Sequence, residues 1–256
     1  MVRNFVIVGT QRTGSTALYH ALNFHPDIAC GGEWTQHITW YKKLLVAQRA
    51  LGGDFTVLSP RHRERVSKVF HEHTQWLGFK LLFRSSDKWL LHPRFAPPLW
   101  VDRLEDSLRW VSHRYDMHII HIVRQDAIEW LKSKYLASTT GLYAKHNYPD
   151  DLKVHIPLRE ALKRLHSKNW VDSRLATLSK TNPYLRVYYE DFLHHNHTVV
   201  MSMLQFLQCD TSRLDEIDYG TQQKQSNREA AAYLANYDQL MAELKNRGLL
   251  HAQLCL

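Results

Sequence analysis

The chain has few of the features that mark secreted, membrane or disordered proteins. Its 256 residues include only 3 cysteines, 10 glycines and 8 prolines, and no apolar run approaches the ~18 residues that a membrane-spanning helix needs. The cysteines, Cys30, Cys209 and Cys255, are odd in number and far apart, which argues against a disulfide framework and a metal-binding CxxC pair. The first apolar run, residues 5–8, is too short for a signal peptide. We therefore expect a soluble, cytoplasmic protein without a membrane span.

The charge balance favours an anionic ligand. Lys and Arg outnumber Asp and Glu by 33 to 25, a formal net charge of +8. The basic residues are spread along the chain instead of forming a tail or a stripe, so we expect a compact anion in a cleft and not a nucleic acid. No feature of the sequence indicates an oligomeric state.

Short apolar runs alternate with helix-like segments. This alternation predicts an α/β fold with a central parallel sheet of about five strands, flanked by helices and carrying helical insertions. The predicted strands lie at residues 5–8, 78–83, 118–123 and 185–189, with a weaker candidate at 28–30. Because no linker divides the chain, we expect a single domain over residues 1–256. Residues 40–75 read as a helical insertion that forms part of an acceptor site or a lid.

A glycine-bracketed turn, residues 9–16 (GTQRTGST), follows the first strand and precedes a helix. The spacing is that of the phosphate-binding P-loop, except that Ser15 stands where the lysine belongs, while Arg12 returns a cation to the loop. Backbone N–H groups, the helix dipole and hydroxyls make such a turn an anion cradle, so the sheet is of the P-loop type. We expect the ligand-binding residues of this loop to be Gln11, Arg12, Thr13, Gly14, Ser15 and Thr16.

A second anion site is predicted after the strand at residues 118–123. Arg124 would leave the carboxyl end of that strand, where open α/β sheets bind ligands, and its planar guanidinium suits a phosphate. Ser133 lies on the following helix and can add a hydroxyl. We expect Asp126 to cap this helix with Glu129 as its reciprocal partner.

These two motifs together resemble the sulfotransferases that use 3′-phosphoadenosine-5′-phosphosulfate (PAPS). Residues 9–18, GTQRTGSTAL, resemble the family's 5′-phosphosulfate loop, and residues 122–135, IVRQDAIEWLKSKY, resemble its 3′-phosphate motif. The continuation ASTTGLY, residues 137–143, is similar to the subgroup that contains trehalose sulfotransferase. The resemblance implies PAPS as donor, adenosine 3′,5′-bisphosphate as product, no metal, and Arg124 and Ser133 as ligands of the 3′-phosphate.

The resemblance also implies catalytic residues. Arg12 would neutralise charge on the departing phosphate, and Glu33, after a Gly-Gly turn, would be the general base that takes the proton of an acceptor hydroxyl. His37 is the alternative base. Lys224 and Gln225 fall where relatives have a segment that covers the nucleotide. The acceptor implied is a small molecule or a carbohydrate.

Two other functions remain open at this point. A P-loop kinase using ATP and Mg²⁺ would need the lysine that Ser15 replaces and an acidic residue for the metal. A non-catalytic module that binds an anion or a nucleic acid on the same fold would need neither.

Overall fold

The structure, a computed structural model, describes residues 3–33, 74–83, 99–113, 116–142, 148–212, 214 and 229–251. Most of the predicted insertion at residues 40–75 lies outside this part of the chain. So do three predicted site residues, His37, Lys224 and Gln225.

Five parallel strands of the described residues pair in the order β2-β3-β1-β4-β5. They are β1 (Arg3–Thr10), β2 (Ile28–Glu33), β3 (Trp76–Phe83), β4 (His118–Val123) and β5 (Tyr184–Tyr188). Each predicted strand, including the weaker second one, is present within a few residues of its expected bounds. The parallel sheet predicted from the alternation of apolar runs is therefore confirmed.

Helices flank this sheet. In chain order they are α1 (Ser15–Asn23), α2 (Leu99–Ser112), α3 (Ala127–Thr140), α4 (Leu158–Ala176), α5 (Tyr189–His194), α6 (Asn196–Phe206), α7 (Ala230–Tyr233) and α8 (Tyr237–Asn246). None of the helices in the described ranges is long and apolar enough to cross a membrane.

The central strand β1 is buried on both faces, as parallel strands between helical layers are. Phe5 and Ile7 pack on the side that holds α1 and α6, whereas Val6 and Val8 pack on the side that holds α2 and α4. This alternation follows from the two-residue period of a strand. It explains why the run reads as continuously apolar in the sequence.

A charged pair is buried between the sheet and α4. The Lys168 Nζ lies 2.8 Å from Asp172 Oδ2, one helical turn away, and both side chains are at most 1% exposed. His121 of β4 completes the group: its Nε2 lies 3.7 Å from Asp172 Oδ1, and its Nδ1 lies 2.6 Å from the Tyr184 hydroxyl. Burial alone would raise the pKa of the Asp172 carboxyl, but Lys168 and His121 together hold that pKa below its usual value.

Candidate functional site

The strand order places the turn after β1 at the middle of the sheet. β1 lies between β3 and β4, and its residue Gly9 pairs with Leu82 on one side and Ile122 on the other. The strand order reverses at this point, and open α/β sheets bind ligands beyond the carboxyl ends of the strands at such a reversal. The predicted anion loop leaves β1 at this position.

The loop backbone has the left-handed conformations that a tight anion-binding turn requires. Arg12 has a φ of 70° and Gly14 a φ of 81°. Gln11 N–H donates to the Phe83 carbonyl at 3.0 Å, and the Thr13 hydroxyl donates to the Thr10 carbonyl at 2.8 Å. The loop is thus tied to β3 and closed on itself before α1 begins at Ser15.

Both the backbone conformation and the close approach of Tyr189 require a glycine at position 14, so a substitution there should destabilise the protein. A Cβ at Gly14 would lie 2.3 Å from the Tyr189 ring, in addition to the strain of a positive φ. The left-handed conformation alone costs an L-residue about 1–2 kcal/mol, and the overlap adds about 1–3 kcal/mol. We expect Gly14→Ala to lower the free energy of unfolding by about 3 kcal/mol in urea titrations.

Gly141 supplies the matched control for this substitution. It ends α3 with a φ of 71°, but no atom of the described residues lies within 4 Å of an added Cβ. Gly141→Ala should therefore cost only the conformational part, about 1–2 kcal/mol. Equal losses for the two variants would show that Tyr189 yields to the added methyl group.

Arg124 lies beside the anion loop. Its side chain is buried and its guanidinium donates to the Arg12 carbonyl at 3.3 Å and to Glu129 Oε2 at 3.3 Å. The guanidinium carbon lies 4.5 Å from the centre of the Tyr189 ring. Its Nε is buried without a hydrogen-bond partner in the part of the chain that the structure describes. A buried cationic donor with unused capacity suits an anionic ligand.

Ser133 connects the two predicted anion sites. Arg12 Nε donates to the Ser133 hydroxyl at 3.0 Å across 121 residues of sequence. With the bond from Arg124 to the Arg12 carbonyl, this contact makes the two predicted motifs one continuous surface. The structure thus brings Arg12, Arg124 and Ser133 together.

The predicted capping box of α3 is half correct. The Asp126 carboxylate accepts the Glu129 N–H at 2.9 Å, as expected. The reciprocal partner, however, is Glu190, whose carboxylate accepts the N–H groups of Gln125 and Asp126, each at 3.1 Å. The Glu129 carboxylate instead contacts Arg124 and Lys132, the latter at 2.7 Å. Two neighbouring cations attract Glu129 more strongly than a neutral N–H group does.

Lys80 places a buried ammonium at the same edge of the sheet. It lies within β3, 5% exposed, and its Nζ is 3.2 Å from the Thr16 hydroxyl and 4.7 Å from the centre of the Tyr19 ring. In the sheet register its partner is Glu33, the last residue of β2. The predicted base therefore belongs to the strand next to Lys80, and β3 separates that strand from β1.

Cys30 also lies near Lys80, but it is not a nucleophile. Burial raises the pKa of its thiol to about 12, and the nearby Lys80 only partly opposes this. The thiol is therefore protonated at neutral pH, and the thiolate is the reactive form.

Sequence reasoning missed several side chains that shape the site. Trp130 donates its indole N–H to the Gln11 carbonyl at 2.9 Å, and Lys134 Nζ lies 3.4 Å from Gln11 Oε1. Helical spacing carried a usable signal, since Trp130 and Lys134 share a face of α3 at i and i+4. Within the described ranges, no group of three or more His, Cys, Asp or Glu side chains is placed to hold a metal ion.

Comparison with known proteins identifies the family. The profile of the sulfotransferase family matches residues 4–213, which is most of the chain and includes both anion motifs. Among curated protein sequences, no significant match was found.

Solved structures of sulfotransferases are similar to the chain. A sulfotransferase from Alicyclobacillus acidocaldarius is 15% identical, with 88% of this chain and 87% of that chain covered and a TM-score of 0.46. The sulfotransferase domain of the Synechococcus PCC 7002 olefin synthase is 16% identical, with 83% and 76% covered and a TM-score of 0.47. A mouse sulfotransferase complexed with PAP is 13% identical, with 84% and 62% covered and a TM-score of 0.36. The extent of the family match decides the assignment: the chain belongs to the sulfotransferase family.

Proposed function

We propose that the protein transfers a sulfuryl group from PAPS to a hydroxyl group of an acceptor and releases adenosine 3′,5′-bisphosphate. The observation that carries the proposal is the joined surface made by Arg12, Ser133 and Arg124, with 3.0 Å from Arg12 Nε to Ser133 Oγ and 3.3 Å from Arg124 Nη1 to the Arg12 carbonyl. PAPS carries a 5′-phosphosulfate and a 3′-phosphate, and these two anionic groups match two adjacent predicted anion sites, the loop at residues 9–16 and the site of Arg124 and Ser133.

Each end of the donor has its own residues in this proposal. The loop from Gln11 to Thr16 holds the 5′-phosphosulfate with backbone N–H groups and hydroxyls at the start of α1. Arg124 and Ser133 hold the 3′-phosphate. The unpartnered Nε of Arg124 supports this role, because a phosphate oxygen would satisfy a buried donor that has no partner among the described residues.

In the reaction, the acceptor oxygen bonds to sulfur while the bond from sulfur to the oxygen of the 5′-phosphate breaks. The electron pair of the broken bond stays on the phosphate oxygen. The hydroxyl proton passes to a base. In this proposal Arg12 and the loop N–H groups stabilise the charge that develops on the leaving phosphate. Lys80, whose Nζ is 3.2 Å from Thr16 Oγ1, adds a positive charge beside the same loop.

The base in this proposal is Glu33, with His37 as the alternative. Glu33 is the last residue of β2 and pairs in register with Lys80, whose ammonium contacts the Thr16 hydroxyl at the start of α1. An ordinary glutamate has a pKa of ~4.3 and is ionised at neutral pH, as a base must be.

The acceptor we propose is a carbohydrate hydroxyl. Its support is the similarity of residues 137–143, ASTTGLY, to the subgroup that contains trehalose sulfotransferase. Lys224 and Gln225 are proposed donor contacts on the same basis. A screen of sugars, lipids and small alcohols with labelled PAPS tests the acceptor, and labelled transfer only to non-carbohydrate alcohols would contradict the proposal.

Nucleotide binding gives the first test of the donor. We expect adenosine 3′,5′-bisphosphate to stabilise the protein without any metal, because its two phosphates meet preformed cationic sites. At 100 times its Kd, a ligand adds ~2.7 kcal/mol to the free energy of unfolding. For a chain of this size that corresponds to roughly 5–10 °C in Tm, measured by thermal unfolding in EDTA.

The control separates this function from a kinase and from a simple anion-binding module. In Arg124→Ala, adenosine 3′,5′-bisphosphate should raise the Tm much less than in wild type, each protein being compared with itself without nucleotide. The reason is that the 3′-phosphate no longer meets the Arg124 guanidinium. Stabilisation by ATP only with Mg²⁺ would favour a kinase. Nucleotide binding without transfer to any hydroxyl acceptor would favour the non-catalytic module.

A further inference from the structure

The anion loop accepts a hydrogen bond from Trp130, a tryptophan of the second motif to which the sequence analysis assigned no role. Trp130 lies on α3, fully buried, and its indole Nε1 donates to the Gln11 carbonyl at 2.9 Å. The ring is held by its surroundings, since Lys168 Nζ lies 5.9 Å from the ring centre and is itself fixed by Asp172. The fully buried indole of Trp130 therefore donates its N–H to the carbonyl of the peptide that joins Gln11 and Arg12.

The direction of that hydrogen bond determines where the next amide points. In a trans peptide the C=O and N–H groups face opposite ways. Because Trp130 draws the Gln11 carbonyl toward α3, the Arg12 N–H points to the opposite side of the loop. Arg124 does the same to the following peptide, since its Nη1 donates to the Arg12 carbonyl at 3.3 Å and so turns the Thr13 N–H away.

The directions of two successive N–H groups, those of Arg12 and Thr13, therefore follow from two hydrogen-bond donors. One donor is Trp130 on α3, and the other is Arg124, which lies just before α3. The Arg12 φ of 70° makes this arrangement costly for a non-glycine residue, so it persists only where neighbouring groups hold it. Arg124 already serves as a ligand in the proposed function. Trp130, in contrast, is buried behind the loop and has the loop carbonyl as its polar partner.

We propose that Trp130 is a positioning residue: its indole N–H holds the Gln11 carbonyl and thereby directs the Arg12 amide toward the 5′ end of the donor. The nucleotide part of this inference rests on the proposed function. Trp130 acts through the loop backbone and does not touch the reacting atoms.

The experiment compares two nucleotides that differ by one phosphate. Adenosine 3′,5′-bisphosphate reports on the loop and on Arg124, whereas adenosine 3′-monophosphate lacks the group that the loop holds. Trp130→Phe keeps an aromatic ring but removes the N–H donor. We expect its Kd for the bisphosphate to rise about tenfold, the effect of one hydrogen bond, while its Kd for the 3′-monophosphate stays within twofold of wild type.

Trp76→Phe is the matched control. Trp76 is 1% exposed on β3 and packs edge-on against Phe5, away from the loop. This variant should leave both dissociation constants unchanged. An equal loss for both nucleotides in Trp130→Phe, or no loss for either, would overturn the positioning role.

Hydrogen exchange tests the same role without a nucleotide. Amides of residues 9–16 should exchange faster in Trp130→Phe than in Trp76→Phe, and unchanged exchange overturns the inference. If wild type fails to bind the bisphosphate, the proposed function fails and the exchange result alone decides about Trp130. If the phenylalanine variant does not fold, benzothienylalanine at position 130 keeps the ring shape, lacks the N–H and carries the same expectations.

Discussion

Glu33→Gln should lower kcat by about 10²–10⁴-fold at neutral pH, the range that removal of a positioned general base produces. Glutamine has nearly the same size but cannot take the acceptor's proton. The affinity for adenosine 3′,5′-bisphosphate should not change, because in the proposed function the loop and Arg124 hold the nucleotide and Glu33 does not. Steady-state transfer of labelled sulfate and a binding titration, measured on the same variant, check both parts.

The control for this prediction is Glu243→Gln. Glu243 lies on α8 and pairs with Arg247, the residue that follows the end of that helix. This variant should transfer sulfate at the wild-type rate. If Glu33→Gln keeps its kcat while His37→Ala loses it, the base is His37, and the role assigned to Glu33 is wrong.

Lys168→Met should lower the free energy of unfolding by about 3–5 kcal/mol, because it leaves the Asp172 carboxylate buried without its cation. Asp172 is completely buried, and Lys168 Nζ is 2.8 Å from its Oδ2. Burial lowers the pKa of His121, which disfavours a compensating charge on this neighbour. Urea titrations at pH 7 measure the loss.

The dependence of this loss on pH has a definite sign. In wild type the pKa of Asp172 lies below its usual value, so the pair stabilises the protein at neutral pH and is lost as the pH falls through that lowered pKa. In Lys168→Met, the ammonium no longer opposes the effect of burial, so the pKa of Asp172 rises. Protonation of Asp172 at lower pH then removes the buried charge and restores part of the variant's stability. The difference between the two proteins should therefore shrink as the pH falls from 7 toward 4.

Two further variants test the explanation. Lys168→Met combined with Asp172→Leu should recover most of the stability, since no unpaired charge is left in the interior. Lys245→Met, at an exposed position of α8, should change the free energy of unfolding by no more than about 0.5 kcal/mol. A double variant as unstable as Lys168→Met alone would show that lost packing, not the orphaned carboxylate, sets the cost.

The strands were predictable because each is a local property of the chain. A run such as FVIV, residues 5–8 of β1, is buried on both faces in a parallel sheet, so all four of its residues are apolar. The same holds for the anion loop, whose two glycines and hydroxyls lie within eight residues. The capping residue Asp126 was also predictable, since its partner N–H is three residues away.

The side-chain partners of the site were not predictable in this way. The sequence suggested Glu129 as the partner in the capping box, but Glu190, more than sixty residues away, takes that place. Nothing near Gln11 in the chain indicates that Trp130 binds its carbonyl. Both contacts arise because β4 and β5 are neighbours in the sheet and α3 packs over the loop.

The amino-acid sequence by itself therefore determined the parallel sheet, the glycine-bracketed turn after β1, and the arginine that follows β4. Only the tertiary structure decided that Arg12 meets Ser133, that Glu33 pairs in register with Lys80, and that Lys168 is buried against Asp172. The physical reason is the separation along the chain over which each feature is determined. Backbone conformation and apolar periodicity depend on neighbours within one or two turns, whereas a pairing between distant side chains depends on the order in which the strands assemble.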